Sequence, residues 1–141
     1  MEAIKEIPGA PAPVGAYSPA TKSGNLVFCS GQIALEPETN KLVEGGVEQE
    51  AKQVLKNLSS VLKAAGTSSD KILMTTIFLA KIEDAKAVNA IYADFVNSDM
   101  PPARQTIAVK DLPLGVQVEI CLLYTSPSPR DATLSRMPSS A

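Results

Sequence analysis

Arg104 and Glu119 are the two residues whose chemistry can be read first. Arg104 lies in the run Pro101-Pro102-Ala103-Arg104-Gln105-Thr106-Ile107-Ala108-Val109, which Leu112-Pro113-Leu114-Gly115 joins to a second extended segment carrying Glu119. A guanidinium is a planar fork matched to a carboxylate, and a glutamate beside it can hold or deprotonate a water. Placed on neighbouring strands, the two charges would suit hydrolysis of a small substrate that itself carries a carboxylate.

Composition removes most competing chemistries. The 141 residues include no His and no Trp, and the cysteines are Cys29 and Cys121. Ser-His-Asp and Cys-His catalysis, the usual zinc sites and imidazole acid-base roles are therefore excluded. A CxxC redox motif or a disulfide framework is excluded as well, which fits a reducing compartment. The N-terminus, Met1-Glu2-Ala3-Ile4-Lys5, lacks the apolar stretch of a signal peptide. No apolar run approaches the roughly 20 residues that span a bilayer, so a cytoplasmic protein with no membrane partner is expected. At 45% hydrophobic the chain can bury one sizeable core. A net charge of -2 without a Lys/Arg cluster argues against nucleic acid and for a small ligand.

From Cys121 the composition changes abruptly to Cys-Leu-Leu-Tyr-Thr-Ser-Pro-Ser-Pro-Arg-Asp, and the chain closes on Ser-Arg-Met-Pro-Ser-Ser-Ala. Read as biology this is a Pro/Ser-rich disordered tail. Back-translated, Cys121 to Asp131 can be encoded by a sequence that looks like a transposase-type sequencing adapter, and Ser135 to Ala141 fits one that resembles its outer primer site. The expectation is a single domain over residues 1–120, its last strand truncated or extended by 121–125, followed by a non-native tail over 126–141. Setting aside Arg130, Arg136 and Asp131 leaves 11 basic and 14 acidic residues, a net charge of -3. The case against nucleic acid is unchanged.

The elements that must position the two charges follow from periodicity. Ser23-Gly24-Asn25 is a turn feeding a strand over Leu26-Val27-Phe28-Cys29-Ser30-Gly31-Gln32-Ile33. After Gly45-Gly46, apolar residues recur at Val47, Ala51, Val54, Leu55, Leu58, Val61, Leu62 and Ala65. That spacing is one face of a helix, stopped by Gly66. Ile72 to Leu79 is apolar on both alternating faces and suits a central strand covered on both sides, or covered on one side by a neighbouring subunit. A second helix from about Asp84 presents Val88, Ile91, Tyr92 and Phe95. Ala103 to Val109 and Val116 to about Ile120 complete the strands, with Pro101 and Pro102 tolerated at a strand start. Two helices against one mostly antiparallel sheet make an α+β sandwich. Its second sheet face would be too apolar for a monomer, and a homo-oligomer that closes sheets on each other removes the problem.

Gly15-Ala16-Tyr17-Ser18-Pro19-Ala20, Phe28 to Ile33, Gln53 to Leu58, Val88-Asn89-Ala90-Ile91-Tyr92, and Pro102-Ala103-Arg104 with Val118-Glu119-Ile120 occur in that order. Together they resemble the Rid (YjgF) family of imine and enamine deaminases over nearly all of residues 1–120. The resemblance implies a chorismate-mutase-like α+β fold, a barrel-shaped homotrimer and active sites between subunits. It further implies hydrolysis of reactive 2-imino or enamino acids to 2-keto acids and ammonia, with no cofactor and no metal. By the same resemblance Arg104 binds the substrate carboxylate and Glu119 holds the attacking water. Tyr17 would line the cleft, Ser30 would donate a hydrogen bond, and the bare backbone at Gly31 would let the ligand approach. Asn89 would lie near a neighbouring subunit's cleft. Thr106 stands where many relatives carry Cys, and its carbonyl could still hold water. On the residues alone, Arg104 could be a strand-end surface charge and Glu119 an outward strand residue beside Gln117. A non-catalytic trimer that binds small keto or amino acids as a regulator is the alternative reading. A nuclease is disfavoured by the acidic charge and the missing His, and a chorismate mutase would rest on fold likeness alone.

Overall fold

In the computed structural model, residues 1–127 are described, so residues 128–141 of the expected tail lie outside the described residues. Six strands form one sheet: β1 (Glu2–Ile4), β2 (Ala20–Ser23), β3 (Leu26–Cys29), β4 (Ile72–Leu79), β5 (Ala103–Ala108) and β6 (Val118–Thr125). Two helices, α1 (Val47–Ala64) and α2 (Ala85–Phe95), pack on it. The spatial order is β1-β2-β3-β6-β4-β5, antiparallel throughout except that β5 runs parallel to β4. A parallel pair needs a crossover, and α2 supplies it. The α+β sandwich expected from periodicity is the architecture observed.

Helix α1 buries Ala51, Val54, Leu55, Leu58, Val61 and Leu62, the stripe its spacing predicts. It ends where expected. Gly66, at φ 77°, lets the amides of Gly66 and Thr67 turn back to the carbonyls of Lys63 and Leu62. Two polar residues are also buried on this helix, Glu50 and Asn57, and both hold backbone elsewhere. Glu50 accepts a hydrogen bond from the Gln117 amide at 2.9 Å, just before β6. Asn57 donates to the carbonyls of Leu35 at 2.9 Å and Ile33 at 3.3 Å, and accepts from Gln53 at 2.9 Å.

On the sheet, Val27, Thr75, Ile77, Leu79, Val118, Ile120, Leu122 and Tyr124 face the helices and are buried. Phe28 and Ile107, on the other face, remain 48% and 43% exposed. Thus β4 is covered on one side within the chain, and its outward residues are only half covered.

Three sequence expectations change. The strand expected over Leu26 to Ile33 ends at Cys29, because Ser30 turns back to Pro19 through its amide and to Ser18 through its hydroxyl. Gln32 then rejoins the sheet by a single bridge to Ile120. Arg104 and Glu119 are not on neighbouring strands: β4 lies between β5 and β6. Of the two possibilities left for the last strand, truncation or extension by 121–125, the structure has the extension: it runs through Cys121 to Thr125, pairing with both β3 and β4. The alternation Leu122, Tyr124 inward and Cys121, Leu123 outward is all that pairing requires. Ser126, assigned to the tail by composition, is buried, and its amide donates to the Asn25 carbonyl at 2.9 Å.

Candidate active site

Glu119 projects from β6 on the face away from the helices, level with Phe78 of β4. The chain between β3 and the Gln32 bridge crosses directly in front of it. A Cβ added at Gly31 would lie 2.9 Å from the Glu119 carboxyl carbon, so the bare backbone of glycine lets the loop pass with the Glu119 side chain where it stands, and any larger residue would displace that carboxylate. Asn57 fixes the far end of the same loop through the Ile33 and Leu35 carbonyls. Ser30 is set by donating to the Ser18 carbonyl at 2.7 Å.

These residues frame a cavity of about 390 Å³. Tyr17, Ser30, Gly31 and Glu119 all line it, and apolar wall comes from Pro11, Val14, Ile33, Leu35 and Leu114. Tyr17 is half exposed at its mouth, and its hydroxyl lies 3.4 Å from the Val14 amide. Burial raises the Glu119 carboxyl above its ordinary value, with no opposing cation contributing. A partly desolvated carboxylate in an apolar-walled cavity is a stronger base than a surface one, and chemistry of this type can bind and deprotonate water.

Arg104 belongs to a separate cluster. On β5 it is level with Thr75, on the helix side of the sheet, whereas Glu119 is level with Phe78 on the open side. Two strand spacings and three residues of offset separate the two positions by roughly 10 Å in each direction. Within one chain they cannot share a substrate. Arg104 is exposed, donates from Nη1 to Asn89 Oδ1 at 2.5 Å, and stands over the Tyr92 ring at 5.1 Å. Thr106 follows on the same side of β5, level with the buried Ile77.

The seven candidates thus fall into two groups: Tyr17, Ser30, Gly31 and Glu119 around the cavity, and Arg104, Asn89 and Thr106 at the β5 edge. Sequence reasoning missed Gln32, Val14 and Leu114 as cavity walls, and Asn57 as the clamp of the loop. Leu114 had one available signal: the following Gly115 marks a tight turn, and both residues take positive φ, 56° and 69°. Among the described residues, no group of three or more His, Cys, Asp or Glu is placed to hold a metal ion. No helix described is long and apolar enough to cross a membrane.

The family described as Endoribonuclease L-PSP matches residues 8–124. Reactive Intermediate Deaminase A, chloroplastic, of Arabidopsis thaliana is 48% identical over 116 residues, covering 82% of this chain and 62% of that protein. The 2-iminobutanoate/2-iminopropanoate deaminase of Rattus norvegicus is 45% identical over 111 residues, 79% of this chain and 80% of that one. Among solved structures, the conserved Rid-family protein YyfA of Yersinia pestis superposes with a TM-score of 0.84 at 42% identity, over 88% of this chain and 98% of that one. Escherichia coli TdcF with bound serine superposes with a TM-score of 0.82 at 30% identity, over 89% of this chain and 100% of its own. On sequence and fold together, the chain belongs to the Rid (YjgF) family.

Proposed function

We propose that this protein hydrolyses 2-imino acids, and the enamino acids that tautomerise to them, to 2-keto acids and ammonia. The reading is carried by Glu119: a half-buried carboxylate with a raised pKa, facing a small cavity across the bare backbone of Gly31. Relatives named as deaminases support the reaction class. The separation of Arg104 from Glu119 supports a site completed between copies of the chain, and the exposed apolar face bearing Phe28 and Ile107 offers the surface for a homotrimer.

In this reading Arg104 of one copy holds the substrate carboxylate in a bidentate clamp and sets C2 against a water on Glu119 of another. The water oxygen bonds to C2 while its proton passes to Glu119. The C=N double bond opens, and the nitrogen becomes an amine. Glu119 supplies that amine with the proton taken from water; it then takes the remaining hydroxyl proton at C2 and passes it to the amine, so that the C–N bond breaks as the C2 carbonyl forms and ammonia leaves. Atoms and charge balance with water as the only co-reactant, so neither a cofactor nor a covalent intermediate is required. Positioning and proton transfer, each worth about 10²-fold or more, suffice for imines that already hydrolyse slowly in water.

The test is to generate imino acids in situ with an amino-acid oxidase and follow keto-acid release in competition with a chemical trap. Acceleration is expected from the parent. Glu119→Gln should lower the rate by about 10²-fold or more while still binding a keto-acid product. Arg104→Ala should lose both, since the clamp serves ground state and transition state alike. A parent that gives no acceleration would leave the ligand-binding regulator, with Arg104 as its anchor.

A further inference from the structure

We infer that Tyr92 is a positioning residue for the substrate-binding arginine: its buried ring is a platform that, together with Asn89, holds the Arg104 guanidinium ready for a carboxylate. The inference rests on the proposed role of Arg104 and goes beyond it by naming what prepares that side chain.

Arg104 projects from an exposed strand, where a long side chain ordinarily samples many rotamers and loses that freedom on binding. Two contacts remove the problem in advance. The Tyr92 ring lies beneath the guanidinium at 5.1 Å, within cation-π range, and restrains it out of its plane. Asn89 accepts from Nη1 at 2.5 Å and restrains rotation in the plane. Both partners are uncharged, so neither consumes the positive charge as a carboxylate would. With Nη1 engaged by Asn89, the Nε and Nη2 edge remains to meet a planar carboxylate through two parallel hydrogen bonds.

The platform is itself fixed. Tyr92 is 4% exposed, and its hydroxyl donates to Thr75 Oγ1 at 2.8 Å; Thr75 is fully buried on β4, level with Arg104. A ring held at its hydroxyl end by β4 and along its body by the core cannot swing away when the guanidinium moves. Burial raises the Tyr92 phenol above its ordinary value, more than the Thr75 bond and the Arg104 charge lower it. The ring therefore stays neutral across the working pH range, and the attraction is that of a cation for a π face. Asn89 and Tyr92 stand three residues apart on α2, so one helical face carries both restraints.

The experiment uses the full-length assembled protein and replaces Tyr92 with Phe, then with mono-, di- and trifluorinated phenylalanines. Fluorination weakens the ring's negative face in steps while nearly preserving its shape. The readouts are the Kd for 2-oxobutanoate as a keto-acid probe and, with oxidase-generated imine, KM and kcat separately. Tyr92→Phe should bind within about two-fold of the parent. Along the fluorinated series Kd and KM should climb together by about 2- to 30-fold in total, the span of cation-π strengths, with kcat and the melting temperature nearly constant. A flat series overturns the inference, because a tyrosine that merely fills the core would behave that way. Arg104→Ala, measured alongside, separates the two claims. If it leaves 2-oxobutanoate binding intact, the reading of Arg104 itself fails; if it abolishes binding while the fluorinated series is flat, only the platform does.

Discussion

Burying the Glu119 carboxylate costs the folded chain stability, and the cost has a definite pH signature. Burial raises its pKa, so the native state binds that proton more tightly than the unfolded chain does. The stabilising contribution of such a group is complete below the unfolded pKa and is lost as pH rises through the folded one. Glu119→Gln should therefore melt at a higher temperature than the parent at pH 7, and the advantage should vanish as pH is lowered to the ordinary carboxylate range; thermal scans across pH 4 to 8 check this. Activity should run the other way. Water activation needs the ionised form, so kcat/KM of the parent should rise with pH through an inflection above the ordinary carboxylate value. Gly31→Ala tests the geometry in front of this carboxylate. Its φ lies outside the glycine-favouring range, so the backbone accepts alanine, but the new Cβ would meet Glu119. Folding should survive while turnover falls by about 10²-fold. Tyr124 offers a stability test remote from the chemistry. Its ring is fully buried and its hydroxyl has no hydrogen-bond partner among the described residues, so Tyr124→Phe should stabilise by about 1 kcal/mol in denaturant titration.

At the level of elements, α1 and β6 do more than fill layers. Through Asn57, α1 anchors the loop that carries Ser30 and Gly31, and Asn57→Ala would leave the buried Leu35 carbonyl without a donor and take one of two donors from the Ile33 carbonyl. A loss of about 2 kcal/mol with a matching fall in turnover is expected by chemical denaturation and the keto-acid assay. For β6, Leu122 and Tyr124 are core residues, so truncation after Ile120 should unfold the domain. Truncation after Pro127 should leave melting and ligand binding unchanged. The cut belongs there rather than before Ser126, whose amide is bound to Asn25. Much of this layout was legible. The eight-position apolar stripe and Gly66 delimit α1, and the two-sided run Ile72 to Leu79 is β4 to the residue. What escaped was non-local. The three-residue β1 exists through its pairing with β2. The end of β3 at Cys29 comes with the hydrogen bonds of Ser30 to Pro19 and Ser18, which lie more than ten residues earlier in the chain. Glu50 and Asn57 look like solvent-facing helix residues because their partners are backbone groups 67 and 22 positions away. Strand order is equally invisible to periodicity, and so Arg104 and Glu119 read as neighbours when β4 divides them.

For the whole molecule, the candidate residues of one chain form two groups on opposite faces of its sheet, and in the proposed reading each is half of a site. Sedimentation at micromolar concentration should show a trimer, and a species that stays monomeric would remove the intersubunit site with it. Of the candidate site, the residue types were legible in the sequence, but their division between faces is a property of sheet order and register. That division has a genetic consequence. Arg104→Ala and Glu119→Gln chains would each assemble into inactive protein, yet co-refolded in equal amounts they should regain turnover. A site that draws its arginine from one copy and its glutamate from another has both intact in about one case in four. Two damaged alleles would then complement each other in the same cell, which no enzyme with both residues supplied by one chain could show.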